Sequence, residues 1–188
     1  MGFSLSWLAV KRIPESTLLS GISATRTGKS AEIPEHKLSY LDRGNEWRWI
    51  FADHLDIIHE RSGWLSGLSR GTELISVFVE EHVMYSAATC WKDGKQIWFI
   101  EHDNDRGGLE DIRASGDLPS CYQRIFNDLQ QKLKEDPECD FMFDVPTEVA
   151  KELTGYKHDD MGEPGDTFWE LESTEKAKSW LSSLFGRK

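Results

Sequence analysis

The sequence predicts an α+β fold: a central antiparallel β-meander packed with a few helices in a single domain. Three observations point there. The β-type runs Glu73–Val79, His82–Trp91 and Gln96–Glu101 follow one another closely, and Lys92-Asp93-Gly94-Lys95 separates the last two. Asp-Gly between such runs is a strong hairpin signal, because both turn residues tolerate positive φ. Helical spacing is clearest well downstream, where Tyr122, Ile125, Phe126, Leu129 and Leu133 share a face. Finally, 188 residues suit one domain able to bury a core without disulfide or metal staples, and eight Trp and nine Phe offset a hydrophobic content of only 38%.

Taken in order, residues 3–11 have strand composition. Pro14, followed by Leu18, Leu19 and Gly21, marks one or two helical turns, with Pro in the first turn and Gly past the end. Residues 23–37 are polar and lack a clear period, which predicts a loop with at most a short edge strand. Glu46–Ala52 alternates bulky apolar side chains with others and predicts a strand. Between Ser62 and Gly71, glycines recur every four residues. Polar flanks make this a short surface helix ended by Gly71, not a lipid-embedded packing face. The meander follows. The main helix then starts near Ser120, an available N-cap, and a shorter one around Pro146, Val149 and Leu153 ends at Gly155. Phe168–Leu171 reads as a late strand closing a domain over residues 1–172. Residues 173–188 place Ala177, Trp180, Leu181, Leu184 and Phe185 on one face of a terminal amphipathic helix whose basic end suits the helix dipole.

Composition restricts function. A net charge of −11 repels nucleic-acid phosphates and anionic membrane surfaces, so direct nucleic-acid or membrane binding is not expected. No apolar stretch approaches the roughly 20 residues of a membrane span, and the short apolar N-terminus has no basic stretch before it or cleavage site after it. Cys90, Cys121 and Cys139 are odd in number and lack CxxC spacing, which disfavours a disulfide framework or structural zinc and fits a reducing, cytoplasmic setting. The acidity is local: residues 135–172 hold thirteen Asp or Glu against two Lys, whereas residues 173–188 carry a net of +3.

Catalytic motifs are absent. The chain lacks Gly-x-Ser-x-Gly, His-Glu-x-x-His and a P-loop, so no cofactor is expected. The candidate metal groups Asp53-His54-x-Asp56-x-x-His59-Glu60, His102-Asp103-x-Asp105 and His158-Asp159-Asp160 read better as solvated turns. Glu80 and Glu81 are adjacent, so on a continuing strand they would point to opposite faces and could not work as a pair. Trp47, Trp49, Trp91 and Trp98 lie in strands without interleaved basic residues, which favours core packing over base stacking.

The blocks GFSLSWLAVK (Gly2–Lys11), VEEHVMYSA (Val79–Ala87) and DFMFDVPTEVAKELTGYKHD (Asp140–Asp159) resemble a bacterial protein family of about this length. The resemblance spans most of the chain and transfers no functional residue. In architecture and charge the chain is also similar to immunity proteins, which neutralise toxins delivered by competing cells, type VI secretion effectors among them.

These readings combine into an expectation of a non-enzymatic, cytoplasmic immunity protein. It would cover a basic toxin, such as a nuclease effector, with an acidic surface. Glu80, Glu81, Asp159, Asp160, Glu163 and Asp166 are the expected acidic contacts, with Trp180 as an aromatic anchor. The alternative is a small enzyme or ligand-binding domain built at the hairpin ends around His82, His102 and Asp103.

Overall fold

The computed structural model describes residues 2–53, 62–160 and 162–174. Of the terminal helix expected over residues 173–188, Ser173 instead ends a strand, and everything after residue 174, Trp180 included, lies outside the described residues, as do His54, Asp56, His59 and Glu60.

An α+β architecture is observed, built on one nine-stranded sheet whose paired strands are all antiparallel. In chain order the elements are β1 (Ser4–Lys11), α1 (Glu15–Gly21), β2 (Ala24–Ala31), β3 (Leu38–Asp42), β4 (Trp47–Asp53) and α2 (Ser62–Leu68). They continue with β5 (Glu73–Glu80), β6 (Tyr85–Lys92), β7 (Lys95–Asp103), α3 (Asn104–Gly107), a 3-10 turn (Gly108–Glu110) and β8 (Arg113–Gly116). The last are α4 (Tyr122–Glu135), α5 (Asp144–Thr154) and β9 (Phe168–Ser173). The sheet order is β2-β9-β3-β4-β1-β5-β6-β7-β8.

The meander β5-β6-β7-β8 forms one half of the sheet, and β1 lies at its centre between β4 and β5. That position explains its composition. Leu5, Trp7 and Ala9 face one core with α4 and α5, while Leu8 and Val10 face a second core with α1 and α2, so β1 is apolar on both sides. The first core also buries Met142 and Phe143 just ahead of α5, and Trp47, Trp49 and Trp98 from the strands. Cys90 faces the same core.

The Asp93-Gly94 turn forms as its sequence requires, with positive φ at both residues. It is also tied to α2: Ser66 Oγ donates to the Gly94 carbonyl and Gly94 N–H to Ser69 Oγ. Three expectations need correction. The 23–37 region contains β2, eight residues long. The strand expected from His82 begins at Tyr85, because residues 81–84 form the turn out of β5. Ser120 does not cap α4; Cys121 takes the N-cap position without a side-chain hydrogen bond. The short elements β3, β8 and α3 carry too few patterned residues to have been read.

Candidate functional site

Pairings Ser4 with Glu80, Glu80 with Tyr85, and Tyr85 with Asp103 bring the N-terminus and the β5–β6 turn to one end of the sheet. Glu81 is the joint there. Its N–H donates to the Phe3 carbonyl at 2.9 Å, its Oε2 accepts from the Phe3 N–H at 2.9 Å, and its Oε1 lies 3.1 Å from His158 Nε2. His158 is buried with its ring edge-on to Phe3 and packed near Trp7 and Phe143. Glu80 sits beside it, its Oε1 2.7 Å from His82 Nδ1. Burial pushes the Glu80 carboxyl up, but hydrogen bonds from Ser4 and His82 outweigh that and hold it below its ordinary value.

Two large apolar side chains stand exposed at this end, Phe3 at 49% and Val83 at 47%. The sequence gives no signal for either: Phe3 reads as part of a strand and Val83 as part of a β run. The chain stops pairing at Glu80 and turns, so Val83 faces outward, although the same residue in a continuing strand would pack.

The other expected acidic contacts each meet a cation of the chain itself, with the Asp166 side chain buried and Asp159, Asp160 and Glu163 exposed. Asp166 accepts two hydrogen bonds from Arg43, and Glu163 lies 3.5 Å from the same guanidinium. Asp160 pairs with Lys151 at 3.1 Å. Asp159 joins Asp144 and Glu148 around the Lys157 ammonium, whose side chain is only 6% exposed. Burial alone would lower that amine's pKa, and the three carboxylates more than reverse it, so Lys157 is held above its ordinary value. The acids of this loop are therefore paired with cations, although three of the four stay exposed. Its charges hold the loop to α5 and to the turn after β3. Arg43 and Lys157 lie far away or isolated in sequence, so nothing in the local pattern announces the pairing.

His82, His102 and Asp103 do not converge. His82 is exposed on the β5–β6 turn. His102 is fully buried on the α4–α5 face, its Nδ1 2.6 Å from the Asp111 carbonyl and its Nε2 3.0 Å from Asp140. Asp103, next along the strand, points to the opposite face and pairs with Arg106 at 3.7 Å. Among the described residues no group of His, Cys, Asp and Glu has the arrangement of a metal site. No family model matches the chain, and neither curated proteins nor solved structures give a match. Among the described residues no helix is long and apolar enough to cross a membrane.

A groove of about 940 Å3 runs between α1 and β2, lined in part by Glu15, Ser20, Ser23 and Arg26. Its one cation is already engaged: the Arg26 guanidinium bonds to Glu15 and lies over the Tyr40 and Trp169 rings. The arrangement stabilises the β2 edge, and among the described residues lining the groove there is no activated nucleophile or acid–base pair.

Proposed function

We propose that the chain is a non-enzymatic protein-binding module, and specifically a cytoplasmic immunity protein that covers the working surface of a basic toxin such as a nuclease effector. The supporting observation is the sheet end at which exposed Phe3 and Val83 stand beside Glu80 and Glu81. Apolar anchors supply most of the energy of a protein interface, while flanking carboxylates raise the association rate and favour a basic partner. The likeness of architecture and overall charge to immunity proteins supports the same reading by analogy. Blocking access is the whole mechanism; no bond need be made or broken.

The test starts with capture from native lysate by the full chain and by its Val83→Arg and Glu80→Lys variants. A captured protein supports the reading only if it arrests growth when produced alone and is neutralised when the wild-type chain is produced with it. Both variants should protect at least about tenfold less well, a loss expected of one anchor or one complementary charge. A toxin neutralised equally by wild type and Val83→Arg would overturn the assignment of this surface.

A further inference from the structure

We propose that the cleft between the 3-10 turn and the C-terminal end of α4 receives a lysine or arginine side chain of a protein partner. Beyond the sheet end described above, this is a second and separate surface. The cleft holds about 260 Å3, with Leu109, Leu133, Pro137 and Met142 forming its apolar lining and Glu110 and Lys134 at its rim. Met142 and Leu133 are core residues, so the floor is fixed by the main packing of α4 on the sheet. The opposite wall is fixed too. Arg106, one turn before Leu109, is hydrogen-bonded to both Glu101 and Asp111 and locks the α3 and 3-10 segment onto β7.

Volume and lining together select the occupant. A small-molecule site usually encloses some 300–1,000 Å3, whereas this cleft suits one long side chain. Lysine and arginine carry an aliphatic stem that packs on apolar surface while the cation stays at the edge. Charge complements that shape. Glu110 is exposed at the rim, and Glu135, Asp136 and Glu138 are exposed next in sequence to the lining residues Lys134 and Pro137; among the described residues none of the four is in an ion pair. Glu135 accepts only from Gln131, and Asp136 only from the Glu138 N–H. Four carboxylates outside any ion pair thus outnumber Lys132 and Lys134 in the last turn of α4. The negative end of the α4 dipole adds to the preference for a cation. In the loop before β9 Asp159, Asp160, Glu163 and Asp166 are paired with cations of the chain, whereas these four acids are not.

The experiment needs no knowledge of the partner. Full-length 15N-labelled protein is titrated with a capped alanine-based peptide bearing two arginines, with its citrulline counterpart, and with free spermidine. The arginine peptide should shift amides of Leu109, Glu110 and residues 133–138 together with the Met142 methyl, and its affinity should fall at least about tenfold from low to high salt. Citrulline, which keeps the stem and loses the charge, should bind at least about tenfold more weakly. The double variant Glu110→Lys, Glu138→Lys should lose the response while the rest of its spectrum stays unchanged, and Leu109→Ser should weaken it. Shifts spread over the acidic surface at large, equal binding of citrulline or spermidine, or a response retained in the double variant would each overturn the proposal, as would no response at all.

Discussion

Arg43 and Asp166, 123 residues apart, form a two-point pair: Nε lies 2.9 Å from Oδ1 and Nη2 2.7 Å from Oδ2, with both side chains under 10% exposed. The third nitrogen, Nη1, donates to the Gly155 carbonyl at 2.6 Å, and the guanidinium plane lies over Trp49 and Tyr156. One side chain thereby ties the turn after β3 to the end of α5 and to the loop leading into β9. Arg43→Met should cost about 3–5 kcal/mol, the usual result of stranding one member of a buried pair. Asp166→Asn keeps the shape and a neutral hydrogen bond, and should cost about 1–2 kcal/mol.

The same pair sets a pH dependence. Burial pushes the Asp166 carboxyl up, but the hydrogen bonds from Arg43 and the Glu163 N–H outweigh it, so the folded value lies below the ordinary one. A carboxyl depressed on folding stabilises the protein at every pH above its unfolded value, near 3.9, and stops doing so as pH falls through the depressed value. The stability gap between wild type and Asp166→Asn should therefore be flat from neutrality down to mild acid and close below it. Urea unfolding across that range measures it, and a gap that widened in acid would contradict the pairing.

His102 runs the other way. Burial lowers its pKa, but hydrogen bonds to Asp140 and to the Asp111 carbonyl outweigh burial and leave it above the ordinary 6.5. A histidine raised on folding stabilises fully below its unfolded value, and that contribution is lost as pH rises through the folded value. His102→Gln should thus be most destabilising relative to wild type on the acid side of about pH 6.5, with the difference shrinking toward alkaline pH. NMR titration of the ring protons gives the direct check, and a midpoint below the ordinary value would refute it.

How these acids are engaged is set by cations that lie elsewhere in the chain. The meander was legible because hairpins are local: Asp93-Gly94 and the runs beside it carry their own instructions. The helices around Ile125 and Val149 were legible from periodicity, and β1 from its β-type composition. Sheet order was not, since β9 enters between β2 and β3 and β1 between β4 and β5, and no local pattern encodes such distant pairings. Charge suffered most. Composition correctly locates thirteen acids in residues 135–172, but whether an acid faces solvent or a cation depends on Arg43 and Lys157 meeting it in space. Glu135, Asp136 and Glu138 belong to the same acidic stretch and are among those in no ion pair in the described residues.

Thiol reactivity offers a compact check of the packing. Burial in the core pushes the Cys90 thiol up to about 12, and burial likewise raises Cys121, whereas Cys139 is exposed in the turn after α4. The thiolate is the nucleophile, so access and ionisation act together. In native protein near pH 8, an aromatic disulfide reagent should modify Cys139 quickly and leave Cys90 and Cys121 to react at the rate of unfolding. Two fast thiols would mean that one core face is open.

Gly116 tests the far edge of the sheet. It has φ +85°, and an added Cβ would lie 2.1 Å from the Ile97 carbonyl oxygen and 2.9 Å from the Trp98 Cα, both backbone atoms that cannot swing aside. Gly116 pairs with Trp98 in the β7–β8 ladder, and the N–H of the following Asp117 donates to that same Ile97 carbonyl at 2.9 Å. The sharp reversal out of β8 therefore needs a residue with neither a Cβ nor a penalty for positive φ. Gly116→Ala should cost more than the roughly 1 kcal/mol of an ordinary positive-φ substitution and on the order of 3 kcal/mol in all, because steric overlap adds to backbone strain. Gly28, also at positive φ but with nothing within 4 Å of an added Cβ, is the control: Gly28→Ala should show the conformational part alone. Equal losses for the two variants in thermal unfolding would mean that the β7–β8 contact relaxes freely.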